Sequence, residues 1–169
     1  MQGLRWVNAR ALGLAIAVAV GGAFGAEDWA GYERLTRDQV AARVANSSKS
    51  APADLSGKNL SGANLAQVDF KAANLSASVL NGADLRRANL AQCNLTVSFG
   101  ERADFREANL RGAEMFSMQL AGADLRGADL SDARFIGDMT KARLQGAILR
   151  NFRGAADMKA FIALALGHV

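Results

Sequence analysis

The sequence predicts a solenoid of short stacked coils with a helical segment at each end. Three observations carry this. A large apolar residue recurs every five positions from Leu55 to Phe135, a small residue stands two before it, and Asp or Asn stands one before it. The large residue is present at sixteen of seventeen positions and missing only at Gly100, with Phe70, Phe105, Met115 and Phe135 in place of leucine. Alanine fills the small position in eleven of the seventeen units and Asp or Asn the next position in twelve, so the unit is A(D/N)LXX. A period of five suits neither regular element. On a helix successive leucines would rotate by about 140°, and on a strand they would alternate faces. A backbone that turns a corner every five residues buries one large and one small side chain per unit and leaves three outward. A fixed short period of this kind implies stacked coils.

At 169 residues the chain is bounded at one ordinary domain plus its termini. Half of it is hydrophobic and only one proline is present, so it encodes something folded; its 17 glycines follow no collagen period. Cys93 and His168 each stand alone, which excludes a disulfide framework and a Cys/His zinc site within one chain. A Ser-His-Asp or Cys-His machine would have to use the penultimate residue, too near a terminus to hold a base in register.

Residues 1–25 read as a secretory signal peptide: Arg5 and Arg10, an apolar run from Ala11 to Phe24, then small residues. Ala23 and Gly25 place cleavage between Gly25 and Ala26. The run is shorter than the roughly 20 residues of a spanning helix, so no stable membrane span is expected after cleavage. An uncleaved leader would instead leave a tethered peripheral protein. Without the leader's two arginines the formal charge of +4 falls to +2, from 18 basic and 16 acidic residues, and gives no nucleic-acid signal.

Residues 26–52 form an N-terminal helical cap and linker. Thr36-Arg37-Asp38-Gln39 has the form of a capping box, Leu35 and Val40 are spaced as a hydrophobic staple, and Val44 continues that face. The helix is expected to stop near Asn46-Ser47-Ser48, before Pro52.

Residues 53–152 are the repeat. Stretches such as Ala63-Asn64-Leu65, Ala83-Asp84-Leu85, Ala108-Asn109-Leu110 and Ala123-Asp124-Leu125-Arg126-Gly127-Ala128-Asp129-Leu130 resemble the pentapeptide-repeat family. The resemblance implies an all-β solenoid, a right-handed quadrilateral β-helix with four repeats per coil. Twenty residues then make one coil and about five coils a rod of roughly 25 Å at ordinary strand spacing. After Phe135 the large residues fall at Met139, Leu144 and Leu149, so one residue is missing between Ile136 and Met139 and a tightened corner is expected there. Residues 153–169 are read as a C-terminal helix, with Met158, Phe161, Ile162 and Ala165 on one face, that either caps the open end or pairs in a homodimer.

Stacking outward positions in steps of twenty shows two candidate surfaces. Arg86, Arg106 and Arg126 form one column beside Asp84, Asp104 and Asp124. This is either a solvated salt ladder, each pair worth about 0 to 1 kcal/mol, or an arginine strip that docks an acidic partner. Three adjacent arginines and the lack of a binding-loop motif argue against a metal on the aspartates. The second surface is apolar: Val79, Val97, Phe99, Phe116 and Ile136 occupy outward or corner positions on two adjoining faces. Either a terminal helix covers them or they bind a protein, with Phe116 as anchor. Cys93 replaces an inward alanine and is expected to be buried and unreactive. Met118 fills the same kind of position beside Gly100 and is expected to compensate its missing volume.

No catalytic residue set, cofactor loop or metal set is evident, so the chain reads as a non-enzymatic exported scaffold, periplasmic or secreted from a bacterium, that binds an unknown protein at the cell envelope. The resemblance implies one alternative. Some pentapeptide-repeat proteins are rod-shaped DNA mimics that bind DNA gyrase and confer quinolone resistance. That mimicry requires an acidic rod in the cytoplasm, whereas this rod is slightly basic and follows a leader.

Overall fold

The computed structural model describes Trp29 and residues 31–48 and 50–154; the expected signal peptide and most of the expected C-terminal helix lie outside the described residues. The chain divides into two compact units, Met1–Ala30 and Gly31–Val169, and the second holds everything that follows.

Its element order is β1 (Glu33–Arg34), α1 (Arg37–Ala45), β2 (Lys58–Asn59), β3 (Glu114–Gln119) and β4 (Arg134–Asp138). Thr36 caps α1. Its hydroxyl accepts the Gln39 N–H at 3.3 Å while the Gln39 side chain accepts the Thr36 N–H at 2.8 Å, a complete capping box, and Asn46 closes the far end. Leu35, Val40 and Val44 are buried in the same apolar core as Leu55 and Leu60. Parallel pairing of β1 with β2 and a bond from the Leu35 N–H to the Asn59 carbonyl at 3.1 Å tie this segment to the first coil.

From Ala53 onward the backbone forms four parallel ladders, one per side of the coil. They run Asp54–Asn74–Asn94–Glu114–Arg134–Arg153, Asn59–Val79–Phe99–Gln119–Asp138, Asn64–Asp84–Asp104–Asp124–Arg143 and Asp69–Asn89–Asn109–Asp129–Ile148. Along most of each ladder the touching residue is a single one, because a corner every five residues leaves no room for a longer strand. Every large residue from Leu55 to Phe135 in the five-residue register, Gly100 aside, is at most 1% exposed, and the residue two before it is buried in all but the units of Leu60 and Leu65.

The Asp/Asn preference has a local cause visible here. The side-chain oxygen accepts the backbone N–H two residues on, as in Ser56 to Asp54 at 3.0 Å, Ser76 to Asn74 at 3.1 Å and Thr96 to Asn94 at 3.0 Å, and so closes the corner. The next residue swings into left-handed backbone, with φ of 63° at Gly112, 57° at Arg87 and 60° at Gln92. Glycine is free there; the others carry a strain of about 1 to 2 kcal/mol each.

The missing residue after Ile136 is accommodated differently from the expected tightened corner. Rungs are twenty residues apart up to Phe116 with Ile136 and nineteen apart from Met118 with Gly137 onward. The irregularity falls on the preceding coil, where Ser117 bulges at φ 57° between Phe116 and Met118, and both coils run straight through as β3 and β4. Gly137 allows this. A Cβ there would overlap the carbonyl oxygen of Met118 and lie 2.9 Å from its carbonyl carbon.

Candidate functional site

The structure divides the predicted apolar surface rather than presenting it whole. Val79 and Phe99 follow Asn59 on the second ladder and are 0% and 4% exposed, so the expectation that they are available to a partner is corrected. An outward position is solvent-exposed only when nothing packs over it. Val97 and Phe116 are half-buried and Ile136 is 53% exposed. These three stay together on successive coils: the Val97 N–H bonds the Phe116 carbonyl at 2.7 Å, and Phe116 pairs with Ile136 across β3 and β4. They form an apolar corner, carried by the longest regular strand pair among the described residues.

The arginine column lies on the third ladder, opposite the side that leads into that corner, so the two candidate surfaces do not form one site. Each arginine folds back on the aspartate of its own repeat. Arg86 gives Nε and Nη2 to the Asp84 oxygens at 2.8 and 2.7 Å, Arg106 to Asp104 at 2.9 and 2.6 Å, and Arg126 to Asp124 at 2.9 and 2.8 Å. Nε of Arg86 also faces Asp104 of the next coil at 3.7 Å, and that of Arg106 faces Asp124 at 3.8 Å. Repulsion within the column is therefore offset at every step. Arg143 closes the ladder on Asp124, a second partner that the repeat pattern did not reveal because the register slip moves it into place. The bond from Arg126, joined by that from Arg143 and opposed by burial, holds the Asp124 carboxyl down to about 2. Bonds from Arg86 and Arg106 likewise lower Asp84 and Asp104.

Two core positions follow their expectations. Cys93 is fully buried, and burial pushes its thiol up to about 12, leaving no thiolate for chemistry at neutral pH. Met118 is fully buried, its methyl 3.2 Å from where a Cβ on Gly100 would lie, so its side chain occupies the space a leucine would have taken.

A family model described as pentapeptide repeats matches residues 53–82, 83–117 and 119–153 in eight copies. The chain belongs to the pentapeptide-repeat family. Members of the family form right-handed quadrilateral β-helices, and four parallel ladders per coil are what that architecture requires. Among solved structures, this pentapeptide-repeat chain is similar to a member from the thylakoid lumen of Arabidopsis thaliana, with a TM-score of 0.52 and 27% identity over 66% of this chain and 75% of that one. It is also similar to a pentapeptide-repeat protein from Nostoc PCC 7120, with a TM-score of 0.51 and 34% identity over 56% of this chain and 83% of that one. Comparison with curated proteins gives no match.

Proposed function

We propose that this pentapeptide-repeat chain is a non-enzymatic scaffold, exported to the cell envelope as a rod of about five coils between terminal helices, that binds a partner protein through the Val97–Phe116–Ile136 corner. The carrying observation is Ile136, 53% exposed on β4 beside half-buried Phe116, on a coil whose register residues Leu120, Leu125, Leu130 and Phe135 are buried. An aromatic flanked by aliphatic side chains on a flat strand pair is the arrangement that anchors protein interfaces. The leader pattern supports a periplasmic or secreted address, and one similar structure, 27% identical, is of a protein from the thylakoid lumen. The bidentate pairs of the arginine column favour a structural role for Arg86, Arg106 and Arg126 over partner docking.

The test has two parts. Cell fractionation with intact mass should recover a soluble envelope species that begins near Ala26; a full-length cytosolic species would refute export. An envelope pull-down should lose its partner with Ile136→Asp while thermal unfolding stays unchanged, since the side chain is half in water already. A partner retained by Ile136→Asp would remove the corner from the interface.

A further inference from the structure

We propose that the face of β3 and β4 at the Val97–Phe116–Ile136 corner binds a second copy of this chain, as a two-fold dimer whose axis runs along the two strands, midway between them. The dimer rests on the reading of that corner as an interface and supplies its partner. Glu114 and Phe116 point outward from β3, with buried Met115 between them, and Arg134 and Ile136 point outward from β4, with buried Phe135 between them. The register sets Glu114 beside Arg134 and Phe116 beside Ile136. One strand therefore presents an acid and an aromatic, and its neighbour a base and an aliphatic, at matching positions.

That pattern is its own complement. A two-fold axis along the strands turns the copy over and exchanges β3 with β4. Phe116 then lies over Ile136 of the second copy and Glu114 over Arg134 of the second copy, and each contact occurs twice. Strand directions coincide, so the faces meet in the aligned packing of two sheets. A two-fold axis along the rod would keep each strand opposite itself and reverse its direction, which carries Glu114 and Arg134 away from each other. An isologous interface demands a self-complementary patch, and an unrelated partner does not. The charges are free to turn outward: Arg134 and Glu114 stand 3.9 Å apart, beyond hydrogen-bond reach, and each side chain is 50% exposed. On the third ladder, by contrast, Arg106 grips Asp104 at 2.6 Å. Earlier rungs of the Phe116 position hold Ser56, Ser76 and Thr96, short side chains that do not hold two faces apart. A patch two coils high is smaller than the roughly 800 Å² per partner of a standard interface, so the dissociation constant is expected on the order of 100 μM.

The test is sedimentation velocity of the full chain from about 10 μM to about 1 mM, in about 50 mM salt where surface charges are weakly screened. Every variant keeps residues 1–25 and 155–169, so association through either is common to all. Wild type should pass from monomer to dimer across this range. Glu114→Arg sets arginine against arginine and Arg134→Glu sets glutamate against glutamate, so each alone should weaken self-association at least about tenfold. An equimolar mixture of the two should dimerise again within about threefold of wild type, because every charge then meets its opposite, and this recovery excludes misfolding as the cause of the loss. Wild type that stays monomeric overturns the proposal. So do single variants that dimerise within about twofold of wild type, which would place self-association elsewhere on the chain, and a mixture that stays monomeric. Ile136→Asp separates the dimer from the reading beneath it. A monomeric wild type whose envelope partner is lost with Ile136→Asp overturns the dimer and keeps the corner as an interface. Retention of both self-association and envelope partner by Ile136→Asp overturns both.

Discussion

Replacing Gly137 by alanine should destabilise the rod by about 2 to 4 kcal/mol. Its backbone is not left-handed, so alanine carries no conformational penalty there and in open space would be neutral or slightly stabilising. The cost comes from Met118. The added carbon would overlap that residue's carbonyl oxygen, with its carbonyl carbon at 2.9 Å and amide nitrogen at 3.0 Å, and all three are backbone atoms that cannot rotate away. The neighbouring backbone is pinned by the Gln119 N–H on the Ser98 carbonyl at 3.0 Å and the Leu120 N–H on the Asp138 carbonyl at 2.7 Å. Relief therefore means prising β3 from β4, with one or two hydrogen bonds lost at about 1 kcal/mol each, or retaining an overpacked contact at about 1 to 3 kcal/mol. Urea unfolding followed by far-UV circular dichroism measures the difference. Gly31→Ala, with nothing within 4 Å of the new carbon, is the control and should stay within about 0.5 kcal/mol of wild type. A Gly137→Ala protein as stable as that control would refute the claim that this glycine holds the shortened coil in register.

Three further outcomes follow from the packing and the charges. Met118→Ala should cost about 2 to 5 kcal/mol, and adding Gly100→Leu should recover part of it, because one side chain then refills the volume the other vacated; strict additivity in the same unfolding assay would sever the two. Asp124 is depressed in the folded state, so its contribution is full above the unfolded carboxylate range near 4 and is lost as pH falls through about 2. That contribution is at most about 2 kcal/mol and less once water screens the half-exposed guanidiniums, so Asp124→Asn should lower the thermal midpoint at pH 6 and flatten its decline between about pH 4 and 2. Cys93 should resist a maleimide at pH 7.5 in the native protein and react within minutes in urea; rapid native labelling would contradict its burial.

The five-residue period, the inward large and small positions, the capping box at Thr36 and the replacement of a leucine by Met118 were all legible in the sequence. Each is a local pattern or a volume that must be conserved in a packed core. The Asp and Asn positions were legible as a pattern, but their cause, a side chain closing a corner onto the backbone two residues ahead, needed coordinates. Tertiary structure alone decided what lies across from what. Val79 and Phe99 occupy outward positions yet are buried, since burial depends on what packs over a face and not on where a side chain points. The slip at Ile136 was visible as a count, but its bulge falls at Ser117 on the coil before, where Gly137 lets the backbones close up. The same slip carries Arg143 onto Asp124, giving one carboxylate two guanidiniums. A repeat records its own period, and only stacking fixes the register between coils.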